Sequence, residues 1–95
     1  MLLTKAASAG TLESSDVMVT LESAANGIEI DLTSTVEKQY GKQIRKVITE
    51  TLEGLGANGV KVTANDRGAL DCTIRARVSA AWFRATDSAD YKWEV

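Results

Sequence analysis

The sequence predicts an α+β domain, a two-layer ββαββ arrangement. In it a four-stranded, mainly antiparallel sheet packs one face against one long helix, and a short C-terminal helix is allowed. Three observations carry the prediction. Two runs of alternating apolar and polar residues precede a long apolar stripe at helical spacing, two more follow it, and turn-forming clusters separate them. Each strand run has one apolar face and the helix one apolar stripe, so burial is most economical with helix on sheet.

Residues 1–15 show no period and are rich in Ala, Ser, Thr and Gly, as in a flexible arm. Val17, Val19 and Leu21 then alternate with Met18, Thr20 and Glu22, the period of a half-buried strand. Asn26-Gly27 supplies a turn, and Ile28, Ile30 and Leu32 continue on one face, completing a hairpin. Ser34 and Glu37 have capping-box spacing. Val36, Tyr40, Ile44, Val47, Ile48, Leu52 and Leu55 form the helical stripe; Gly41 within it leaves room for a strand backbone to approach, and Gly54 and Gly56 offer stop positions. Val60 and Val62 open a second hairpin, Asn65-Asp66-Arg67-Gly68 turns it, and Leu70, Cys72, Ile74, Ala76 and Val78 share the face of its return strand. The alternation is lost over Ser79–Ala85, where a short helix can pack Trp82 or Phe83 on the sheet. Residues 86–95 read as a polar tail with Tyr91 and Trp93 as docking candidates.

Ninety-five residues make a single domain, 1–95. Eleven basic residues face 13 acidic ones for a net charge of −2, and no basic run exceeds Arg45-Lys46, which argues against nucleic-acid binding. No segment approaches the ~18 apolar residues of a membrane span. Met1–Ala7 is too short and weakly apolar for a signal peptide, and a single cysteine suits a reducing compartment, so a cytoplasmic location is expected.

The chain has no histidine and no cluster with metal-ligand spacing, so no residue set for catalysis and no metal site is expected. Cys72 shares a face with Leu70 and Ile74, which predicts burial as a small hydrophobe. The segment Ala9–Met18 gathers hydroxyls and acids ahead of the first strand. Ser14, Ser15 and Asp16 read first as a polar turn; a serine on an exposed arm also suits covalent attachment. Self-contained serine catalysis is disfavoured, because no histidine can take the proton. Thr-Leu-Glu-Ser occurs at 11–14 and again at 20–23, so the local motif alone does not separate Ser14 from Ser23.

Ala9-Gly10-Thr11-Leu12-Glu13-Ser14-Ser15-Asp16-Val17-Met18 resembles the N-terminal signature of the citrate lyase acyl carrier protein family, the gamma subunits of that complex. Ser34–Gly41 with Ile44-Arg45, Gly59-Val60, and Asp66–Arg77 resemble later segments of the same family, in order and at natural spacing over about residues 9–85. The resemblance selects Ser14 over Ser15 and Ser23. It implies that Ser14 is linked through a phosphodiester to 2'-(5''-phosphoribosyl)-3'-dephospho-CoA, whose thiol is acetylated. It further implies as partners an alpha subunit that exchanges acetyl for citrate, a beta subunit that cleaves the citryl thioester to oxaloacetate, a prosthetic-group transferase and an acetylating ligase. The chain itself would supply no catalytic side chain. Arg75 and Arg77, on one face of the expected strand, are candidates for contacts to phosphates of the group or to acids on a partner. Two alternatives stand beside this one: the acyl carrier subunit of malonate decarboxylase, and a small non-enzymatic α+β binding module.

Overall fold

In the computed structural model, residues 5–86 are described. They run β1 (Ala7–Gly10), β2 (Val17–Ser23), β3 (Ile28–Ser34), α1 (Glu37–Gly54), β4 (Val60–Asp66) and α2 (Asp71–Thr86). The α+β class, the four-stranded sheet, the long helix on one face and the C-terminal helix all hold. The element order is not ββαββ but βββαβα, and the sheet is mixed.

Strand order is β1-β2-β4-β3, with β2 antiparallel to both neighbours and β3 parallel to β4. The parallel pair follows from α1, since parallel neighbours need a long crossover between them. β2 and β3 therefore do not form the expected hairpin; β4 lies between them. Ala24–Gly27 instead passes around the start of β4. Ala24 N–H donates to the Gly59 carbonyl at 2.9 Å, and Gly59 and Val60 N–H donate to Gly27 at 2.9 and 3.0 Å.

One sheet face is apolar. The register sets Val19 between Ala9 and Ala64, and Leu21 beside Val62, all buried. α1 lays Ile44, Val47, Ile48 and Leu52 over β3, and α2 lays Ile74, Val78, Ala81 and Trp82 over β1 and β2; the helices also pack on each other. The opposite face, with Glu29, Asp31, Lys61 and Thr63, is exposed. No helix among the described residues is long and apolar enough to cross a membrane.

Five local expectations are corrected. Residues 70–78 are not a strand: Asp71 opens a helix of 16 residues, because Ile74, Val78, Ala81, Trp82 and Ala85 make a helical stripe that a strand ending at Val78 would leave uncovered. Cys72 consequently sits exposed in the first turn of α2, away from the core. The capping box does not form. Val36 is the N-cap of α1 without a side-chain cap, Ser34 Oγ accepts from Val36 N–H, and Glu37 pairs with Arg45 at 3.4 Å. That pair runs past Gly41, where an added Cβ would meet Glu37 Cγ at 3.0 Å, so the glycine makes room within its own helix and not for a strand.

Residues 1–15 are the fifth. Ala7–Gly10 is an edge strand paired with Met18–Leu21, so the described part of this segment is built into the sheet. Ser8 Oγ and Thr20 Oγ1 lie 2.9 Å apart, and Arg84 of α2 donates to the Ser8 carbonyl at 2.8 Å. Residues 1–4 lie outside the described residues. Thr86 closes α2 and is buried, and the rest of the tail, 87–95 with Tyr91 and Trp93, also lies outside them.

Candidate functional site

Ser14 lies in the loop between β1 and β2, at the end of the sheet where β4 hands over to α2. Asp16 N–H donates to the Glu13 carbonyl at 3.2 Å, closing a four-residue turn with Ser14 and Ser15 at its centre. Ser15 has φ +66°, a left-handed conformation held by a non-glycine residue. That conformation costs about 1–2 kcal/mol and persists only where the surroundings impose it. Here Ser15 N–H donates to the Arg67 carbonyl at 2.7 Å, and Arg67 N–H returns a bond to the Asp16 carbonyl at 2.9 Å. The turn is thus laced to the loop between β4 and α2.

At the base of the loop, Gly10 has φ +103°, and any Cβ there would collide with the Val17 carbonyl oxygen. A glycine is required for β1 to close onto β2 beside the turn.

Asp16 is the hub of this loop. It is buried, and its carboxylate accepts from Arg77 Nε at 3.0 Å, Arg77 Nη2 at 2.9 Å, Thr11 Oγ1 at 2.7 Å and Val17 N–H at 2.7 Å. Thr11 Oγ1 also accepts from Glu13 N–H at 3.1 Å. Arg77 and Thr11, with Val17 N–H, hold the Asp16 carboxyl down to about 2 from an ordinary 3.8 against the opposing effect of burial, and the same pairing raises Arg77. The folded value lies below the unfolded one, so the stabilisation is fully present above about pH 4 and is lost as pH falls through 2. The melting-temperature difference between the native chain and Asp16→Asn is therefore expected to be widest near neutrality and to close between pH 4 and 2, as measured by circular dichroism.

Ser14 itself is exposed. Its neighbours Glu13, Ser15 and Asp16 are all held by backbone hydrogen bonds. Leu12, 50% exposed, and Leu70, 70% exposed, flank the two laced loops.

Asp66 organises the second loop. It is fully buried and accepts from Ser34 Oγ at 2.8 Å, Gly68 N–H at 3.1 Å and Ala69 N–H at 3.0 Å. It fixes the path of Arg67, whose backbone supports Ser15. Gln43 of α1 reaches the Asp71 carboxylate at 2.9 Å, tying the start of α2 to the long helix.

The candidate residues separate clearly in space. Ser15 is exposed but strained, and Ser23 is exposed at the end of β2, paired with Val60. Arg75 and Arg77 no longer share a face: two positions apart on a helix, they point about 200° apart. Arg75 is exposed, whereas Arg77 turns onto Asp16 in a bidentate pair. Reading the sequence alone missed Thr11, Asp16 and Asp66 as supports of the Ser14 turn. All three lie inside segments that carry the family resemblance, Thr11 and Asp16 in the first and Asp66 in the last, yet Asp16 and Arg77 are 61 positions apart, and nothing local links them. Among the described residues no group of His, Cys, Asp and Glu is placed to hold a metal ion.

A family model described as the malonate decarboxylase delta subunit (MdcD) matches residues 4–85. The citrate lyase acyl carrier protein of Lacticaseibacillus casei (strain BL23) is 58% identical over 88 residues, covering 93% of this chain and 87% of that protein. That of Streptococcus uberis is 56% identical over 94 residues, 99% of this chain and 93% of the relative. That of Halothermothrix orenii is 50% identical over 90 residues, 95% and 96%. Among solved structures, a chain of a Pseudomonas malonate decarboxylase hetero-tetramer in complex with malonate superposes with a TM-score of 0.77 at 19% identity, covering 90% of this chain and 88% of that one.

Proposed function

We infer that this chain, which belongs to the citrate lyase acyl carrier protein family, is the carrier subunit of a citrate lyase and not one of its catalytic subunits. Identity of 50–58% over nearly the whole length of both chains carries that reading. The likeness to a malonate decarboxylase chain is at 19% identity and speaks for the shared fold. The family-model description keeps the malonate decarboxylase carrier as the second reading.

Ser14 is the proposed attachment point for 2'-(5''-phosphoribosyl)-3'-dephospho-CoA. Its side chain fits a phosphodiester: Ser14 is exposed in the turn between β1 and β2, so a group joined there meets solvent and not core. When bound, that group supplies the thiol that carries acetyl and citryl as thioesters. The chain's own residues hold the tether point. Since β1 and the Asp16 network fix the backbone on both sides of Ser14, the reach needed to visit two partner sites belongs to the attached group rather than to an N-terminal protein arm. A tether of this kind raises the local acyl concentration to around mM at each partner site. Cys72, exposed but at the start of α2, has no part in this scheme. The partners are the alpha and beta subunits, the transferase that loads Ser14 and the ligase that acetylates the thiol, all in the cytoplasm.

Intact mass of the chain purified within its native complex, from cells fermenting citrate, tests the reading. A mass increment equal to one group, mapped by peptide analysis to Ser14, is expected. A fully active complex whose carrier has the bare polypeptide mass removes it, and co-purification with malonate decarboxylase subunits selects the second reading.

A further inference from the structure

We propose that Arg77, acting through Asp16, is a positioning residue for the loading of Ser14. The proposal rests on Ser14 being the attachment point. Arg77 reaches from α2 to hold both carboxylate oxygens of Asp16, and Thr11 holds one of them from the other side of the loop. Asp16 is the last residue of the turn whose centre is Ser14, and its N–H closes that turn on Glu13. With Thr11 also receiving Glu13 N–H, the network grips the residue before Ser14 and the two after it. The Ser14 hydroxyl is left exposed on a fixed backbone.

Loading forms one bond between Ser14 Oγ and phosphorus. It breaks the bond from that phosphorus to a phosphoanhydride leaving group on the activated donor, and the hydroxyl proton passes to a base of the transferase. Such a displacement needs the oxygen in line with the bond that breaks, and a misplacement of about 1 Å costs as much as a hundredfold in rate. A turn strained at Ser15 does not keep its shape unaided, which is the reason for a clamp at this place. The Arg77 side chain is 39% exposed and that of Asp16 12%, so losing the pair also lowers stability, and a thermal melt of each variant separates that loss from the effect on loading by the folded chain.

The test measures the rate at which the transferase, with its activated donor, adds mass to the full chain. Arg77→Gln is expected to lower kcat roughly tenfold to a hundredfold with KM within about twofold. Arg77→Lys, which keeps the charge but loses the fork, is expected to recover part of the loss, and Arg75→Gln to load like the native chain. Native kcat in Arg77→Gln, or a loss confined to KM, overturns the proposal, the latter because it marks Arg77 as a direct contact to the transferase. If Arg77→Gln fails to fold, kcat of Arg77→Lys decides by the same criteria. Mass gain persisting in Ser14→Ala overturns the attachment assignment instead, whatever the Arg77 variants do.

Discussion

Ser14→Ala is expected to remove both the mass increment and citrate cleavage by the assembled complex, while the melting temperature stays within a degree or two of the native chain. On the proposed assignment the increment requires the oxygen at this position, so the functional loss is expected to be complete. Ser15 is tied by its backbone to Arg67 in a left-handed conformation, and Ser23 sits in β2 opposite Val60. The structural cost is small because Ser14 is exposed, and surface substitutions of this kind fall within about 0.5 kcal/mol. Without the tether, free group would have to be present at around mM to reach the same occupancy of the partner sites. Intact mass, a citrate cleavage assay of the reconstituted complex and a thermal melt check the three parts. Ser23→Ala serves as the control and is expected to load normally. An increment retained in Ser14→Ala would show that another residue is the attachment point.

Val17–Leu21, Ile28–Leu32 and Val60–Val62 each show a clean period of two, and Ile44–Leu52 a clean helical period, because a single buried face dictates every choice along them. These elements were legible. Residues 70–78 were not, for a specific reason: Ile74 and Val78 are four apart, a spacing that serves both a strand of period two and a helix. The deciding residues, Ala81, Trp82 and Ala85, lie beyond the run. Ala7–Gly10 escaped because its strand buries only Ala9, leaving no pattern to read. The neighbour of β2 escaped because two one-faced strands joined by Asn26-Gly27 suit a hairpin locally, and only the insertion of β4 after α1 separates them. For the site, Ser14 is proposed on the resemblance, and the residues that hold its turn were not legible locally. Thr11 and Asp16 are five apart, but Arg77 is distant in sequence, and its role depends on α2 being a helix that crosses behind the turn.

Asp66→Ala is expected to cost about 3 kcal/mol or more, a large part of the roughly 5–10 kcal/mol available to a domain of this size. Asp66 is fully buried at the end of β4, opposite Val17. Its carboxylate is the acceptor for Ser34 Oγ, Gly68 N–H and Ala69 N–H, and alanine strands all three donors at once. A fully buried unsatisfied donor costs about 1–3 kcal/mol; these three bonds are part-buried and Gly68 is exposed, so water reaching the donors brings the total toward the lower end. Asp66→Asn, which retains one acceptor oxygen and the volume, is expected to lose about half as much. The damage should also reach the site. Gly68, at φ +87°, and Ala69 hold the turn that follows Arg67, and Arg67 carries both backbone bonds to the Ser14 loop. Urea unfolding should show a lower midpoint with an unchanged slope, and the Ser15 amide should exchange with solvent faster in Asp66→Ala even under conditions where the chain is fully folded. A native midpoint would mean that water replaces the carboxylate at no cost. Slow Ser15 exchange in the folded variant would mean that the two loops are not coupled through Arg67.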